Sequence, residues 1–294
     1  MKNPLRSLLA AGFLLAAGSV SAQTLVGAWS FGDTTMDNSG VLVFFSNGTY
    51  FQIENANIAI AQEHDGFERG TYSWSGVNGS TFTITPDRDT NGTDLGPSSI
   101  YSGATLSLAG NAFTITDADG LGSGTSDPFA RITGANALAG AWYIGNPATS
   151  GSTNNSGVVV FTPGTFGSGS YSGNYFLARD LPAGDPDASG FPAFAGDEVE
   201  HGSYLWNPTT GVFSLTGNLL DQNPLTGLNI AGRAIDSFTI SGSVLTGHDV
   251  DGYFTLSAVS AIPEPSTYAA ALAAVALVAT AWNRRKRQML AARN

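Results

Sequence analysis

Four phrases occur twice in this chain, in the same order, and that duplication limits what it can fold into more than any other feature. LVGAW at Leu25–Trp29 returns as LAGAW at Leu138–Trp142, and NSGVLVF at Asn38–Phe44 returns as NSGVVVF at Asn155–Phe161. ERGTYSW at Glu68–Trp74 returns as EHGSYLW at Glu200–Trp206. TLSLAGNAFTITDADG from Thr105 aligns with SFTISGSVLTGHDVDG from Ser237. The lag between copies grows through insertions near Gly164–Tyr171 and Asp180–Gly196, which are rich in Gly, Pro and Ser and belong in loops. The first copy is bounded at 23–134 and the second at 135–260.

Within each copy, apolar residues alternate with period two, as in Thr81-Phe82-Thr83-Ile84-Thr85 and Ser237-Phe238-Thr239-Ile240. That is the pattern of half-buried antiparallel strands. Asn47-Gly48 between two apolar runs marks a hairpin. Strands are expected near Trp29, Val43, Phe51, Tyr72, Phe82, Leu106, Phe113 and Ile132, and no sustained helical period occurs between Gln23 and Ile262. The expected class is all-β: two tandem antiparallel β-barrel-like or sandwich domains.

Both ends read differently. Lys2 and Arg6, the apolar run Leu8–Ala17 and the small triplet Val20-Ser21-Ala22 have the layout of a secretory signal peptide over 1–22, cut between Ala22 and Gln23. Near the other end Pro263-Glu264-Pro265 precedes an uncharged run, Tyr268–Trp282, which as a helix would span roughly 22 Å at 1.5 Å per residue. With the prolines' side counted and the arginines snorkelling, a transmembrane helix over 266–282 is expected, held by the basic cluster Arg284, Arg285, Lys286 and Arg287. Prolines keep the preceding segment extended and open to a protease.

That order of three elements over 261–294 resembles the PEP-CTERM sorting signal of Gram-negative bacteria. The resemblance implies processing by an exosortase, a membrane-embedded transpeptidase-like protease, and export to the cell envelope, surface or matrix in association with exopolysaccharide and biofilm. It implies an address and says nothing of the body's activity. Within the body, Gly27-Ala28-Trp29 resembles the Gly-x-Trp opening of lipocalin-like barrels, with Arg131 on the last strand expected to cover Trp29. The second copy keeps Gly140-Ala141-Trp142 but is expected to place Thr255 where Arg131 stands.

Charge narrows the partners. Between Gln23 and Ile262, five arginines (Arg69, Arg88, Arg131, Arg179, Arg233) oppose 22 acids, a net charge of −17. Such a surface repels nucleic acid, so partners are expected to be neutral, cationic or bridged by metal. With no cysteine, thiolate chemistry and disulfides are excluded.

Catalytic signals are thin. The histidines His64, His201 and His248 have no counterpart in the sister copy, and no nucleophile elbow, metalloprotease motif or phosphate loop occurs. A hydrolase would need Asp65, Glu68, Asp197 and Glu200 to converge. A metal reading attaches to DRDTNGTD, where Asp87, Asp89, Asn91 and Asp94 supply closely spaced oxygens for calcium, although Ser98 stands where the bidentate acid belongs; the alternative is a polar hairpin. Asp117-Ala118-Asp119-Gly120 and Asp249-Val250-Asp251-Gly252 read first as turns. No cofactor is expected beyond that calcium ion.

The expected function is a non-enzymatic structural or adhesive component, sorted by an exosortase, with polysaccharide as a partner and the membrane as a station before processing. The alternative is a small apolar-ligand-binding protein in which each of two lipocalin-like barrels holds its ligand beside a tryptophan.

Overall fold

The computed structural model describes residues 24–36, 39–56, 65–90, 103–116, 129–134, 136–145, 156–180, 197–222, 227–229 and 234–259. The expected signal peptide over 1–22, its expected cleavage point between Ala22 and Gln23, and the whole of 261–294 lie outside the described residues. Leu25–Ser260 form one compact unit.

The first copy supplies β1 (Gly27–Phe31), β2 (Ser39–Phe44), β3 (Thr49–Asn55), β4 (Gly66–Trp74), β5 (Ser80–Asp89), β6 (Thr105–Ala109), β7 (Ala112–Thr116) and β8 (Phe129–Arg131). They run antiparallel in chain order and close into a barrel. Each of the eight apolar runs in the sequence lies on or beside one of these strands. Gly48, with φ of +84°, turns the β2–β3 hairpin, and the Asn47 side chain accepts the Thr49 N–H at 3.0 Å.

The second copy repeats this order with β9 (Gly140–Ile144), β10 (Ser156–Phe161), β11 (Thr165–Gly167), β12 (Ser170–Asp180), β13 (Asp197–Trp206), β14 (Phe213–Asp221), β15 (Ser237–Ser241), β16 (Val244–Asp249) and β17 (Gly252–Ala258). Its sheet curls without closing: the end strands β14 and β15 meet through an isolated bridge between Val212 and Ser237. The short β11 pairs only along the start of β12, in the first insertion.

Each copy has an inward core. Trp29, Leu42, Phe44, Tyr50, Phe82 and Phe113 fill the first, with Trp29 set edge-on to Phe113 at 4.8 Å between centroids. Trp142, Phe161, Tyr204, Phe213 and Phe238 fill the second. The repeated phrases fix the same hydrogen bonds twice. Trp29 donates its indole N–H to Leu25 O at 2.7 Å and Trp142 donates to Leu138 O at 2.8 Å. Tyr72 and Tyr204 each donate to a carbonyl just past the second strand of their copy, those of Phe45 and Thr162, at 2.9 Å.

A third core joins the copies. Ala28, Val41, Val43, Phe51, Ile53 and Phe67 from the first pack with Ala141, Val158, Val160, Phe176, Ala178 and Val199 from the second. Ordered this way, each residue of the first set is the repeat counterpart of one in the second. The touching strands are likewise β1 with β9, β3 with β12 and β4 with β13, each element against its own sister. That is the signature of a two-fold, isologous interface inside a single chain. Strands β2 and β10 are therefore buried on both faces along their whole length.

One sequence expectation is corrected here. Arg131 does stand opposite Trp29, its guanidinium 4.0 Å from the ring centroid. Opposite Trp142, however, stands Ala258 and not Thr255. The loop before the last strand differs in length between the copies, so the equivalence shifts along β17.

A polar groove between the copies is the candidate functional site

The seam between the copies carries polar bridges around its apolar centre. Arg69, on β4, donates to Asp180 on β12 at 2.7 Å and to the Ser156 hydroxyl at 3.0 Å, and its Nε lies 3.3 Å from Asp87. The counterpart of Arg69 is His201 on β13, and the counterpart of Asp180 is Asn55 on β3. These two also meet, Asn55 Nδ2 lying 2.8 Å from His201 Nδ1. His201 Nε2 donates to Thr34 O at 2.9 Å, which leaves Nδ1 to accept from Asn55, and the ring stacks on Phe176. One seam contact is thus an ion pair and its mirror a neutral hydrogen bond.

Beside the seam opens a groove of about 590 Å³. The first copy contributes Ser30 and Thr34 from β1 and the turn after it, with Arg131 and Ile132 from β8 and its end. The second copy contributes a row across its outer face: Thr162 past β10, Asn174 on β12, Ser203 on β13 and Thr216 on β14. The row is level because Asn174 pairs with Ser203 and Ser203 with Gly217 in the ladder. Gly217 leaves room for the Ser203 hydroxyl, since a Cβ there would lie 2.6 Å from it. Thr216 donates to Ser203 at 3.1 Å, and Thr162 receives the Asn174 backbone N–H at 2.9 Å. The volume is in the range of small-molecule sites, about 300–1,000 Å³.

Among the described residues, no acid lines this groove. Asp33, next in sequence to Thr34, is turned onto Thr35, which holds its carboxyl below the usual range through hydrogen bonds from the hydroxyl and the backbone N–H. The one cation, Arg131, is occupied with the Trp29 ring and with Val26 O at 2.8 Å; burial lowers its pKa.

The acids retained in both copies go elsewhere. Glu68 accepts the Tyr50 hydroxyl inside the first barrel, and both are fully buried. Burial, with Glu68 beside it, pushes the Tyr50 pKa up. Glu200 lies inside the second copy beside Tyr175, accepting N–H groups of Leu228 at 3.1 Å and Asn229 at 3.2 Å. Burial and the neighbouring Glu198 raise its pKa well above the ordinary value. Gly227 is required at this point: a Cβ would lie 1.9 Å from Glu198 Oε1 and 2.0 Å from Glu200 Oε1. Glu68 and Glu200 thus occupy separate interiors. Asp65 caps the Ala56 N–H at 2.9 Å.

The remaining sequence candidates disperse. Asp87 and Asp89 lie on β5 itself, while Asn91 and Asp94 lie outside the described residues, as do His64, Asp117 and Asp119. Among the described residues, no group of three or more His, Asp or Glu is arranged to hold a metal ion. Asp249 accepts the N–H groups of Asp251 and Gly252 at 2.8 and 3.0 Å, the turn expected of Asp-x-Asp-Gly. His248 pairs with Asp236 at 2.9 Å on the surface. Sequence reasoning passed over the groove because its hydroxyls are scattered across two copies and no spacing announces them.

Comparison with protein-family models, with curated proteins and with solved structures gives no match for this chain.

Proposed function

We propose that this protein is an exported, non-enzymatic structural or adhesive component of the surface or matrix of a Gram-negative bacterium. In this reading an exosortase-type protease sorts it through Pro263-Glu264-Pro265, the helix 266–282 and the tail Arg284–Arg287. The observation that carries the proposal is where the repeated polar residues are used. Trp29 and Trp142, Tyr72 and Tyr204, and Glu68 and Glu200 all bond inward, to carbonyls, backbone N–H groups or a buried tyrosine. What the duplication preserves is therefore architecture, and the joined copies form one firm body suited to load or adhesion.

The test is replacement of Pro263–Pro265 by alanine in the native host. The expected result is loss of processing, read as a changed mature C-terminus by intact mass, with the protein held in the inner membrane. Unchanged mass and distribution would overturn the sorting assignment.

The second reading, an apolar ligand beside each tryptophan, draws on the Arg131 cover over Trp29. It requires saturable quenching of tryptophan fluorescence by lipophilic probes near two per chain. The packing of Trp29 against Phe113 favours the first reading.

A further inference from the structure

We infer that the groove between the copies is a binding site for an uncharged polyhydroxylated chain, a neutral glycan. The inference deepens the proposal above and rests on it for the setting in which such a chain is met.

Charge selects the ligand class first. The body carries 22 acids against five arginines, yet its groove is walled by hydroxyls, one amide, short apolar groups and Arg131, whose guanidinium is engaged with the Trp29 ring and Val26 O. An acidic polymer would be repelled by the surrounding field, and a cationic ligand would find no carboxylate in the groove to receive it. A neutral polyol meets neither obstacle.

Donor and acceptor supply agrees. The Asn174 side chain lines the groove, and its amide offers two N–H donors and one acceptor. Around it, the hydroxyls of Thr34 and Ser203 can donate or accept and that of Thr216, donating to Ser203, keeps its lone pairs to accept, which suits a sugar edge; the Thr162 hydroxyl is closed on the Asn174 backbone. Pro163 gives apolar surface for the ring C–H face. The floor is fixed: Gly173 lies so close to Tyr204 that a Cβ would fall 2.9 Å from its ring. Tyr204 in turn is pinned to Thr162 O, with burial pushing its hydroxyl pKa up to about 12. A wall built across the seam also keeps its shape only while the copies stay joined, so the site belongs to the duplicated body and to neither copy alone.

The test is calorimetric titration of the full chain, held in a detergent without a sugar head group. The probes are linear neutral oligosaccharides (glucans and mannans), with alginate oligomers as acidic comparators. The expected result is saturable binding of at least one neutral probe at one per chain. Asn174→Asp and Thr216→Glu should each weaken it by at least about tenfold, the first because it removes both N–H donors of the amide and the second because its longer side chain fills the groove. Tyr253→Ala, on the exposed β16–β17 hairpin, should leave it unchanged. Should Asn174→Asp lower the unfolding midpoint, Thr216→Glu on the exposed rim decides alone. Absence of binding by every neutral probe, binding that survives both substitutions, or preference for the acidic oligomers would overturn the inference. Failure here with normal Pro263–Pro265 dependence removes the glycan and keeps the surface role; the reverse outcome removes the sorting and keeps the site.

Discussion

Arg69 of the first copy and Asp180 of the second form an ion pair of 2.7 Å with both side chains less than a tenth exposed. A buried pair of this kind adds little net stability over apolar replacements, yet breaking it on one side is expensive.

Arg69→Met should therefore cost about 3–5 kcal/mol, because Asp180 keeps its charge and loses that guanidinium. Adding Asp180→Asn should recover part of the loss. Urea unfolding of the two single variants and the double reads this as a coupling energy. Additive losses would show that the pair is not coupled.

The Arg131 guanidinium over Trp29 should be worth about 0.5–2 kcal/mol, given its half-buried position. Arg131→Ala should lower the unfolding midpoint accordingly, read by urea unfolding. Ala258→Arg in the second copy would add a cover that this sheet lacks, and its effect on the midpoint is expected to be smaller.

Glu200 has a pKa raised in the fold, first by burial and then by Glu198, so the folded chain holds a proton that the unfolded chain releases. Its contribution is whole below the ordinary carboxyl value of about 4.5 and is lost as pH rises through the raised pKa. Melting temperature should fall with pH across that window. Glu200→Gln, which keeps the acceptor for Leu228 and Asn229 and gives Glu198 a donor, should flatten the slope and raise stability at neutral pH.

Gly40, in the repeated Asn-Ser-Gly phrase, leaves no space for a side chain: a Cβ would lie 2.3 Å from the Phe31 ring and 2.4 Å from Ile53 O. Its sister Gly157 would meet Ala178 O at 2.8 Å. Gly40→Ala is expected to destabilise by several kcal/mol through overpacking, about 1–3 or more, and Gly157→Ala by less. Equal midpoints for the two variants would contradict this ordering.

The strands of the first copy were legible because the apolar runs are short, mostly alternating and fenced by Gly, Asn or Asp, and Arg131 over Trp29 followed from the resemblance of Gly27-Ala28-Trp29 to the opening of lipocalin-like barrels. The joining of the copies was not read, although its trace was present. Val41-Leu42-Val43-Phe44-Phe45 and Val158-Val159-Val160-Phe161 are unbroken apolar runs, and a strand without alternation is one buried on both faces. Alternation elsewhere drew attention to one-sided burial. His201 and Arg69 looked like unmatched positions when each copy was read alone; their partners lie across the seam, at a sequence distance no local pattern spans.

The mismatch between Arg69 and His201 decides which surfaces recognise one another while the protein is being made. A first copy emerging beside another nascent first copy would offer Arg69 an Asn55 in place of a carboxylate, and two second copies would set His201 against Asp180. Only a first copy with a second satisfies both contacts as found. Four side chains thereby set the pairing of a first copy with a second above that of two like copies.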